Sequence, residues 1–328
     1  MLVTGKYQIL LPFTMKLIEG EVIEAIELNF DNAKVTIHQP TFTKYLSFYR
    51  DGSGILEPPK LELPDENDIR GKEYIACRHE DGRVIYNVNL VPIDVTKEIS
   101  EISVSEVVDV EELDNIALNA LRRFLEICRW RTGAYWIDCE IDRPQFSSEY
   151  VDKNGRPIPK LHTGVLYLVS NIHIAERSIT GDVWNQISSD IISDCEVPLP
   201  QSLLLNAQRL LSSKNYRLAI VEAVIALEVG FANFLRPYMG SEGVAEEIIN
   251  FWYRYAYIPD KMKVVKKVFP ENIRKEIDNK KLFAECGRAI EFRNAVVHKG
   301  KIISEDEAEL IGKYISAIQE MIDYLVGR

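Results

Sequence analysis

The hydrophobic pattern of this chain changes between Glu196 and Pro200. Before this point apolar and polar residues alternate in several short segments, whereas beyond it apolar residues recur at three- and four-residue steps almost to the end. Alternation is typical of half-buried strands, and the longer period is typical of amphipathic helices. Pro198 and Pro200 interrupt a helix that approaches this point. Because 328 residues suffice for two cores, the pattern predicts an α+β domain over residues 1–197 and an all-α helical bundle over residues 198–328.

The first domain is predicted to consist mostly of strands with one long helix. Asp-Asn-Ala at residues 31–33 and Glu-Asp-Gly at residues 80–82 have the composition of hairpin turns. Residues 51–68 are rich in glycine, proline and acidic residues, which predicts an exposed loop. The sequence of this domain contains no recognisable catalytic constellation, glycine-rich phosphate loop or internal repeat. The helix is predicted over residues 105–133, and the strands over residues 21–30, 34–40, 72–79, 83–95, 135–141 and 161–174.

The second domain is predicted to be helical throughout. Pro237 is expected to end the second helix, and Ser304 with Glu307 fits a capping box at the start of the last. The second helix also carries a face of small residues, which permits close packing either within the chain or against a second copy. These residues are Ala219, Ala223, Ala226 and Gly230. The helices are predicted over residues 203–213, 215–235, 243–255, 261–268, 271–279, 281–297 and 304–325.

A short motif lies near the end of the chain. The segment EFRNAVVHKGK at residues 291–301 places Arg293, Asn294 and His298 in the order R-N-x-x-x-H. These are an always-charged guanidinium, a side-chain amide and an imidazole that titrates near neutral pH. Asn294 and His298 share one helix face, whereas Arg293 and His298 lie about 140° apart around an ideal helix. Arg293 and His298 therefore meet only if the helix loosens at its end or if a second molecule completes the site.

This motif resembles the R-x4–6-H motif of the HEPN superfamily, in the form with asparagine directly after the arginine. Upstream, LLSSKNYRLAIVEAVIALEVGFANFL at residues 210–235 is similar to the earlier helices of that superfamily, with its N-Y, A-I-x-E-A and A-L-E patterns. The resemblance is to the Apea-like HEPN type. It covers roughly residues 198–328 and leaves the first 197 residues unassigned.

Similarity to the ribonucleases of this superfamily implies a metal-independent endoribonuclease that cleaves RNA by attack of the ribose 2′-OH. In that assignment His298 transfers protons, Arg293 binds phosphate, and Asn294 orients His298 or holds the phosphate. An acid on the earlier helix, Glu222 or Glu228, is a candidate supporting residue, with solvent exposure or an intramolecular salt bridge as the alternative for either. No cofactor or metal is expected, and no histidine or cysteine spacing predicts a metal site.

The same residues allow other interpretations. Arg293 and His298 are structural residues in one of them, where they cap the helix and pair with acids such as Glu291. In another, the domain is a non-catalytic HEPN-like helical module that binds a nucleotide, a nucleic acid or a protein partner. A third interpretation is a dimerisation platform without any further activity.

Charge is unevenly distributed along the chain. The net charge is −11, yet residues 198–328 contain 19 basic and 17 acidic residues, which leaves 20 basic and 33 acidic residues in the first 197. Residues 261–301 contain 12 basic and 5 acidic residues. This local excess is compatible with phosphate binding and equally with a solvated helix face. The candidate RNA-binding residues are Lys263, Lys266, Lys267, Lys299 and Lys301.

A second group of cations closes the long helix of the first domain. It consists of Arg122, Arg123, Arg129 and Arg131. Because cations near the last turn of a helix offset its dipole, this group is interpreted as structural, with a nucleic-acid patch as the alternative.

Composition and the motif together predict location and partners. The five cysteines are scattered without a C-x-x-C pair, so reduced thiols are expected. No apolar run predicts a membrane span, and the N-terminal sequence lacks the features of a signal peptide. We therefore expect a cytoplasmic protein whose partner is RNA. The HEPN resemblance further implies a homodimer formed through the second domain, a toxin or antiphage role, and a first domain that binds a trigger or a regulator.

Overall fold

The structure, a computed structural model, describes residues 1–18, 23–30, 32–41, 76–78, 84–99, 111–139, 145–158 and 178–326. It divides into two compact units, Met1–Glu196 and Val197–Arg328. The first unit is α+β and the second is helical, as the sequence pattern predicts. The division lies next to the predicted boundary at residues 197 and 198.

The first unit contains a sheet whose described strands are almost all antiparallel. Its central strands are two long ones, which pair from Leu2 opposite Glu98 to Ile18 opposite Ile85, with a register shift between Leu10 and Met15. The described strands are β1 (Leu2–Ile18), β2 (Ile26–Phe30), β3 (Ala33–Ile37), β4 (Ala76–Arg78), β5 (Val84–Glu98), β6 (Gln145–Asp152) and β7 (Ser178–Ile179). Their order in the sheet is β2-β3-β5-β1-β6, with β4 on β5 and a parallel β7 on β1.

The hairpin predicted around residue 32 is confirmed. Strands β2 and β3 pair in antiparallel register from Ile26 opposite Ile37 to Phe30 opposite Ala33. Asn32 has a φ of 59°, and asparagine tolerates this left-handed conformation better than most residues. Strands β4 and β5 also pair as predicted. The predicted loop at residues 51–68 and the predicted strand at residues 161–174 lie outside the described residues.

Two helices of the described residues cover the sheet of the first unit, α1 (Glu111–Thr132) and α2 (Gly181–Ile192). They pack on each other and on the sheet, where Phe124 and Trp184 make an edge contact with ring centroids 5.6 Å apart. The described part of the predicted strand at residues 135–141 is not a strand, so that prediction is wrong. Ala134 instead donates its backbone N–H to Arg129, and Ile137 donates to Ala134, so a turn that closes α1 occupies these backbone groups.

A buried polar cluster joins this sheet to α1. The hydroxyl of Tyr7 on β1 donates to Asp114 Oδ1 at 2.9 Å, and the hydroxyl of Tyr150 on β6 donates to the same oxygen. Burial raises the pKa of Tyr150 to about 12 and raises that of Tyr7 still further. Both tyrosines therefore stay protonated at neutral pH and act as structural donors. The cluster was not predicted, since its three members are far apart in the sequence.

The second unit is a bundle of helices. Its elements are α3 (Leu199–Ser212), α4 (Tyr216–Ser241), α5 (Glu246–Tyr255), α6 (Ile258–Val268), α7 (Glu271–Asn279), α8 (Leu282–His298), a 3-10 turn (Glu305–Glu307) and α9 (Ala308–Val326). Every predicted helix is present, with ends that differ by a few residues. Glu307 Oε2 accepts the backbone N–H of Ser304 at 3.2 Å, which confirms the predicted capping box.

Helix α4 is the centre of this bundle and packs against α3, α5, α6, α8 and α9. Its face of small residues (Ala219, Ala223, Ala226 and Gly230) is buried inside the unit. A Cβ at Gly230 would lie 3.2 Å from Ile322, so these residues serve packing within the chain. By length and composition this 26-residue helix could also span a membrane, but half of its most apolar window is buried in the bundle. Core helices of bundles have the same character.

Pro237 does not end α4, contrary to the prediction. The helix continues to Ser241. Proline removes the hydrogen bond to the carbonyl four residues earlier, which here belongs to Asn233. Because Asn233 and Pro237 are both exposed, water can solvate that carbonyl, and the helix loses little by continuing.

Candidate functional site

Helix α8 holds the motif in a fixed position. Its apolar face is buried in the bundle core through Leu282, Cys286, Ala289, Ile290 and Val296. The helix is regular through His298, and the backbone N–H groups of Lys299 and Lys301 both return to the carbonyl of Ala295 at 3.2 and 3.1 Å. Gly300 has a φ of 63°, the left-handed conformation that glycine adopts most easily after a helix. The motif therefore occupies the last turns of a well-anchored helix.

The arginine of the motif is half-buried and has no acidic partner among the described residues. Its Nη1 donates to Asn294 Oδ1 at 3.1 Å, while its Nε is buried without a hydrogen-bond partner. Among the described residues no carboxylate lies within ion-pair distance of Arg293, and Glu291 is exposed beside it. The structural interpretation predicts an ion pair with an acid such as Glu291, and this pair is not formed. Arg293 thus carries a guanidinium charge that nothing in the described chain neutralises.

The histidine of the motif lies on another side of the same helix. His298 is exposed at the end of α8, five residues after Arg293. Because the helix stays regular to His298, the two side chains leave it about 140° apart. The structure therefore does not show the loosened helix end that would bring Arg293 and His298 together within one chain. Asn294 and His298 share a face, one turn apart.

The two candidate acids lie on α4, which packs against α8. Glu228 accepts a hydrogen bond from the ammonium of Lys261 at 2.8 Å, so the alternative of an intramolecular salt bridge applies to it. Glu222 Oε2 is buried and has no hydrogen-bond partner in the described chain. Glu222 on α4 and Arg293 on α8 therefore each have one buried polar atom without a hydrogen-bond partner in the described chain, and the two side chains carry opposite charges. Neither acid forms a hydrogen bond or an ion pair with Arg293 or His298 in the structure.

The five candidate lysines fall into two groups. Three of them pair with acids in the chain: Lys263 with Asp260 at 3.1 Å, Lys266 with Asp278 at 2.8 Å, and Lys301 with Glu307 at 2.6 Å. Lys267 and Lys299 are exposed and have no ion pair among the residues described. Phosphate binding by the first group competes with these local pairs, whereas the second group is available without breaking any contact.

Lys301 is held beside the motif helix. Its Nζ lies 4.0 Å from the centroid of the Phe292 ring on α8 and also binds Glu307. The ammonium of Lys301, together with the backbone N–H of Ser304, keeps the pKa of Glu307 below its ordinary value. This triangle ties the segment after Gly300 back onto α8 and fixes the position of a cation next to the motif.

Cys286 lies on the buried face of α8, and its thiol donates weakly to the carbonyl of Ala317 at 3.9 Å. Burial raises its pKa to about 12, so the thiol stays protonated at neutral pH and is not a nucleophile. The described residues contain no group of three or more His, Cys, Asp or Glu side chains placed to hold a metal ion.

The arginines at the end of α1 include two with clear structural roles. Arg131 forms a bidentate pair with Asp190 on α2, which raises the pKa of Arg131, and Arg123 donates to the carbonyl of Cys195. Arg122 contacts Asn119 on its own helix at 3.1 Å. The contacts of Arg131 and Arg123 hold α1 to α2 and to the segment that follows α2. They favour the structural interpretation of this cluster over a nucleic-acid patch.

The comparisons with known proteins add no relative. A scan against protein-family models, a search of curated proteins and a search of solved structures each gave no match for this chain.

Proposed function

We propose that the second unit is a metal-independent endoribonuclease of HEPN type that works as a homodimer. The observation that carries the proposal is the state of Arg293. This guanidinium is half-buried, hydrogen-bonded to Asn294 and without a carboxylate partner in the described chain. An arginine held in this way is suited to a phosphate group, which its N–H donors can bind in bidentate fashion.

The proposed reaction transfers a phosphoryl group within the RNA strand. A base removes the proton from a ribose 2′-OH, the oxygen attacks the adjacent phosphorus, and the bond to the 5′-oxygen of the next nucleotide breaks. An acid protonates that leaving oxygen, and the products are a 2′,3′-cyclic phosphate and a 5′-OH. Imidazole serves both proton transfers near neutral pH, and His298 is exposed to solvent at the end of α8.

The proposed homodimer brings an arginine and a histidine to one phosphate, which a single chain does poorly. Arg293 and His298 diverge by about 140° on a regular helix, so a single chain presents them to one phosphate poorly. A two-fold axis beside α8 sets two copies of the motif around one cleft, with one imidazole as base and the other as acid. Such an isologous contact uses the same patch on both partners.

The cellular role is the part of the proposal that depends on resemblance alone. We assign the protein to the cytoplasm, where reduced thiols such as Cys128 and Cys286 are expected. A toxin or antiphage effector of this kind needs restraint, and the first unit is the candidate sensor or regulator.

A second candidate is a non-catalytic HEPN-like module that binds a nucleotide, a nucleic acid or a protein. The divergence of Arg293 and His298 on α8 is the observation that favours it. One assay separates the two candidates: full-length protein is incubated with total RNA in EDTA, and the new ends are analysed. Fragments with 2′,3′-cyclic phosphate ends support the ribonuclease. Intact RNA that is nevertheless bound supports the module.

A further inference from the structure

Helix α5 presents large apolar side chains to solvent. Ile249 is its buried residue, whereas Ile248, Phe251 and Tyr255 are exposed and share another face of the helix. Tyr257 follows at the N-cap of α6 and is 77% exposed, and Phe251 is 66% exposed. Single exposed apolar residues are ordinary, but a contiguous group usually marks a binding surface.

Three of these four exposed side chains are aromatic, and an arginine lies beside them. The ring centroids of Phe251 and Tyr255 are 4.8 Å apart, and the guanidinium carbon of Arg254 lies 5.8 Å from the centroid of Tyr255. Within the described chain Arg254 has no carboxylate partner. At the other end of the helix Arg236 binds Glu246 and Asn250. The end of α5 that leads into α6 therefore combines solvent-exposed aromatic rings with an arginine that has no ion pair in the described chain.

We propose that Phe251, Arg254, Tyr255 and Tyr257, here called the aromatic face, bind single-stranded RNA by stacking its unpaired bases. The proposal rests on the proposed ribonuclease function and adds a substrate-holding surface outside the motif. Every base has a flat π-face that stacks on an aromatic ring, and arginine adds cation–π contacts and a phosphate ligand. Bases in a duplex are already stacked on each other and are not available to the rings.

The size of the aromatic face favours an RNA strand over a second protein. Four partly exposed large side chains offer on the order of 500 Å², whereas a stable protein–protein interface buries about 800 Å² on each partner. A base needs only the area of one ring. Three rings thus match a short run of nucleotides.

The charge that follows the aromatic face also suits RNA. Helix α6 begins directly after Tyr257, and Lys263 and Lys267 lie four residues apart on one of its faces. Residues 261–301 contain 12 basic and 5 acidic residues. Helix α6 packs against α8, where a Cβ at Gly287 would lie 3.8 Å from Met262. In the proposal, a strand stacked on the aromatic face continues along α6, which carries these two lysines and packs against the motif helix.

The test measures binding separately from cleavage. A fluorescent 12-nucleotide 2′-O-methyl oligouridine lacks the free 2′-OH that cleavage needs, and its Kd for the full-length protein is measured by anisotropy. Phe251→Leu, Tyr255→Leu and Tyr257→Leu keep an apolar side chain but remove the ring. Each is expected to raise Kd by about 5- to 150-fold, the range for loss of one stacked base. Tyr255→Phe keeps the ring and is expected to bind like the wild type.

Ile192→Ala is the matched control, because Ile192 is a similarly exposed apolar residue on α2 of the first unit. Its Kd should not change, and the melting temperatures of all variants should stay close to that of the wild type because the substituted side chains are exposed. Leucine variants that bind the oligonucleotide as tightly as the wild type overturn the proposal. A leucine variant that becomes monomeric in light scattering but keeps the wild-type Kd for the oligonucleotide also overturns the proposal. In that case the aromatic face binds a second copy of the chain and not RNA.

The ribonuclease and the aromatic face can fail independently. Wild-type protein that binds the oligonucleotide through these rings, yet leaves total RNA intact, supports the aromatic face and contradicts the ribonuclease. Cleavage that depends on His298 in protein whose leucine variants bind normally contradicts the aromatic face alone.

Discussion

The ammonium group of Lys261 lies 2.8 Å from Glu228 Oε1, with the lysine side chain only 5% exposed. The same ammonium is 5.5 Å from the centroid of the Tyr253 ring. The pair joins α6 to α4, the central helix of the bundle, and the ring contact adds α5. The lysine that opens the basic segment at residues 261–301 is thus part of the core and is not available to a ligand.

Glu228→Gln is expected to destabilise the protein, because it leaves the Lys261 ammonium buried without a counter-charge. Removing one partner of a fully buried pair costs about 3–5 kcal/mol. Since Glu228 itself is 37% exposed, solvent screens the pair, and we expect about 1–3 kcal/mol. Urea unfolding measures the change. Glu247→Gln, at an exposed position on α5, is the control, and equal stability of the two variants would show that the buried pair contributes nothing.

The architecture could be predicted because hydrophobic period is a local signal. Residues 271–279 are predicted and observed as one helix, and the break at Pro198 lies beside the division between the units. Strand β6 (Gln145–Asp152) was not predicted, and the residues at 135–139 were predicted as a strand in error. Strand assignment depends on a partner strand far away in sequence, since β6 pairs with β1, and a local window does not contain that partner.

The site could be predicted only as a set of residues. The motif gave Arg293, Asn294 and His298, and helical spacing gave the divergence between arginine and histidine. Pairing of charges is a tertiary property, so the sequence did not distinguish Lys267, which is unpaired in the described chain, from Lys266, which binds Asp278 on another helix. For the same reason the sequence left open whether Glu228 supports the site or is exposed or paired in a salt bridge within the chain.

Removal of the motif side chains is expected to abolish cleavage without unfolding the protein. His298→Ala should lower the RNA cleavage rate by about 10²-fold or more through loss of proton transfer, and Arg293→Ala should have a comparable effect. Arg288→Ala is the matched control, because Arg288 lies on the same helix, is exposed and pairs with Glu285. If the motif variants melt early and cleavage falls only in proportion to folded protein, the residues are structural.

The unpaired lysines are expected to set the salt dependence of RNA binding. Replacing Lys267 and Lys299 by glutamine should reduce the slope of log K against log salt by about 0.7 for each lost phosphate contact. If Lys263, Lys266 and Lys267 are all replaced, the change in this slope should come mostly from Lys267, because the other two already pair with acids. Lys275→Gln with Lys313→Gln removes the same net charge from two exposed lysines that pair on their own helices. An equal slope in both double variants would assign the effect to net charge alone.

Stability should depend on pH through Glu307. Lys301, and then the Ser304 backbone N–H, hold the pKa of Glu307 below its ordinary value. A lowered pKa in the folded state stabilises the protein above the ordinary glutamate pKa of about 4.3, and this contribution is lost as pH falls through the lowered pKa. The wild type should therefore melt at a higher temperature than Glu307→Gln at pH 7, and the difference should shrink toward pH 3. Asp306→Asn, in the same 3-10 turn, should show a smaller difference at pH 7; a Glu307→Gln difference that stays constant with pH contradicts this account.

A composite cleft predicts that two inactive variants restore activity when they are mixed. Arg293 and His298 leave the regular helix α8 about 140° apart, so each proposed cleft needs side chains from two copies. A heterodimer of Arg293→Ala with His298→Ala still has one guanidinium and one imidazole around the shared cleft. Because only one of the two imidazoles remains, mixing the two full-length variants should give RNA cleavage above that of either variant alone but below that of the wild type, and light scattering should give twice the mass of one chain.

Co-purification of differently tagged Arg293→Ala and His298→Ala chains checks that the subunits exchange. Exchange without any cleavage in that mixture contradicts the composite cleft. A monomeric wild type with full cleavage activity has the same meaning, because the arginine and the histidine then reach one phosphate without a partner. In that case α8 opens after Asn294 when RNA binds, and Val297→Pro, which removes the backbone hydrogen bond to the carbonyl of Arg293, should keep or raise the cleavage rate.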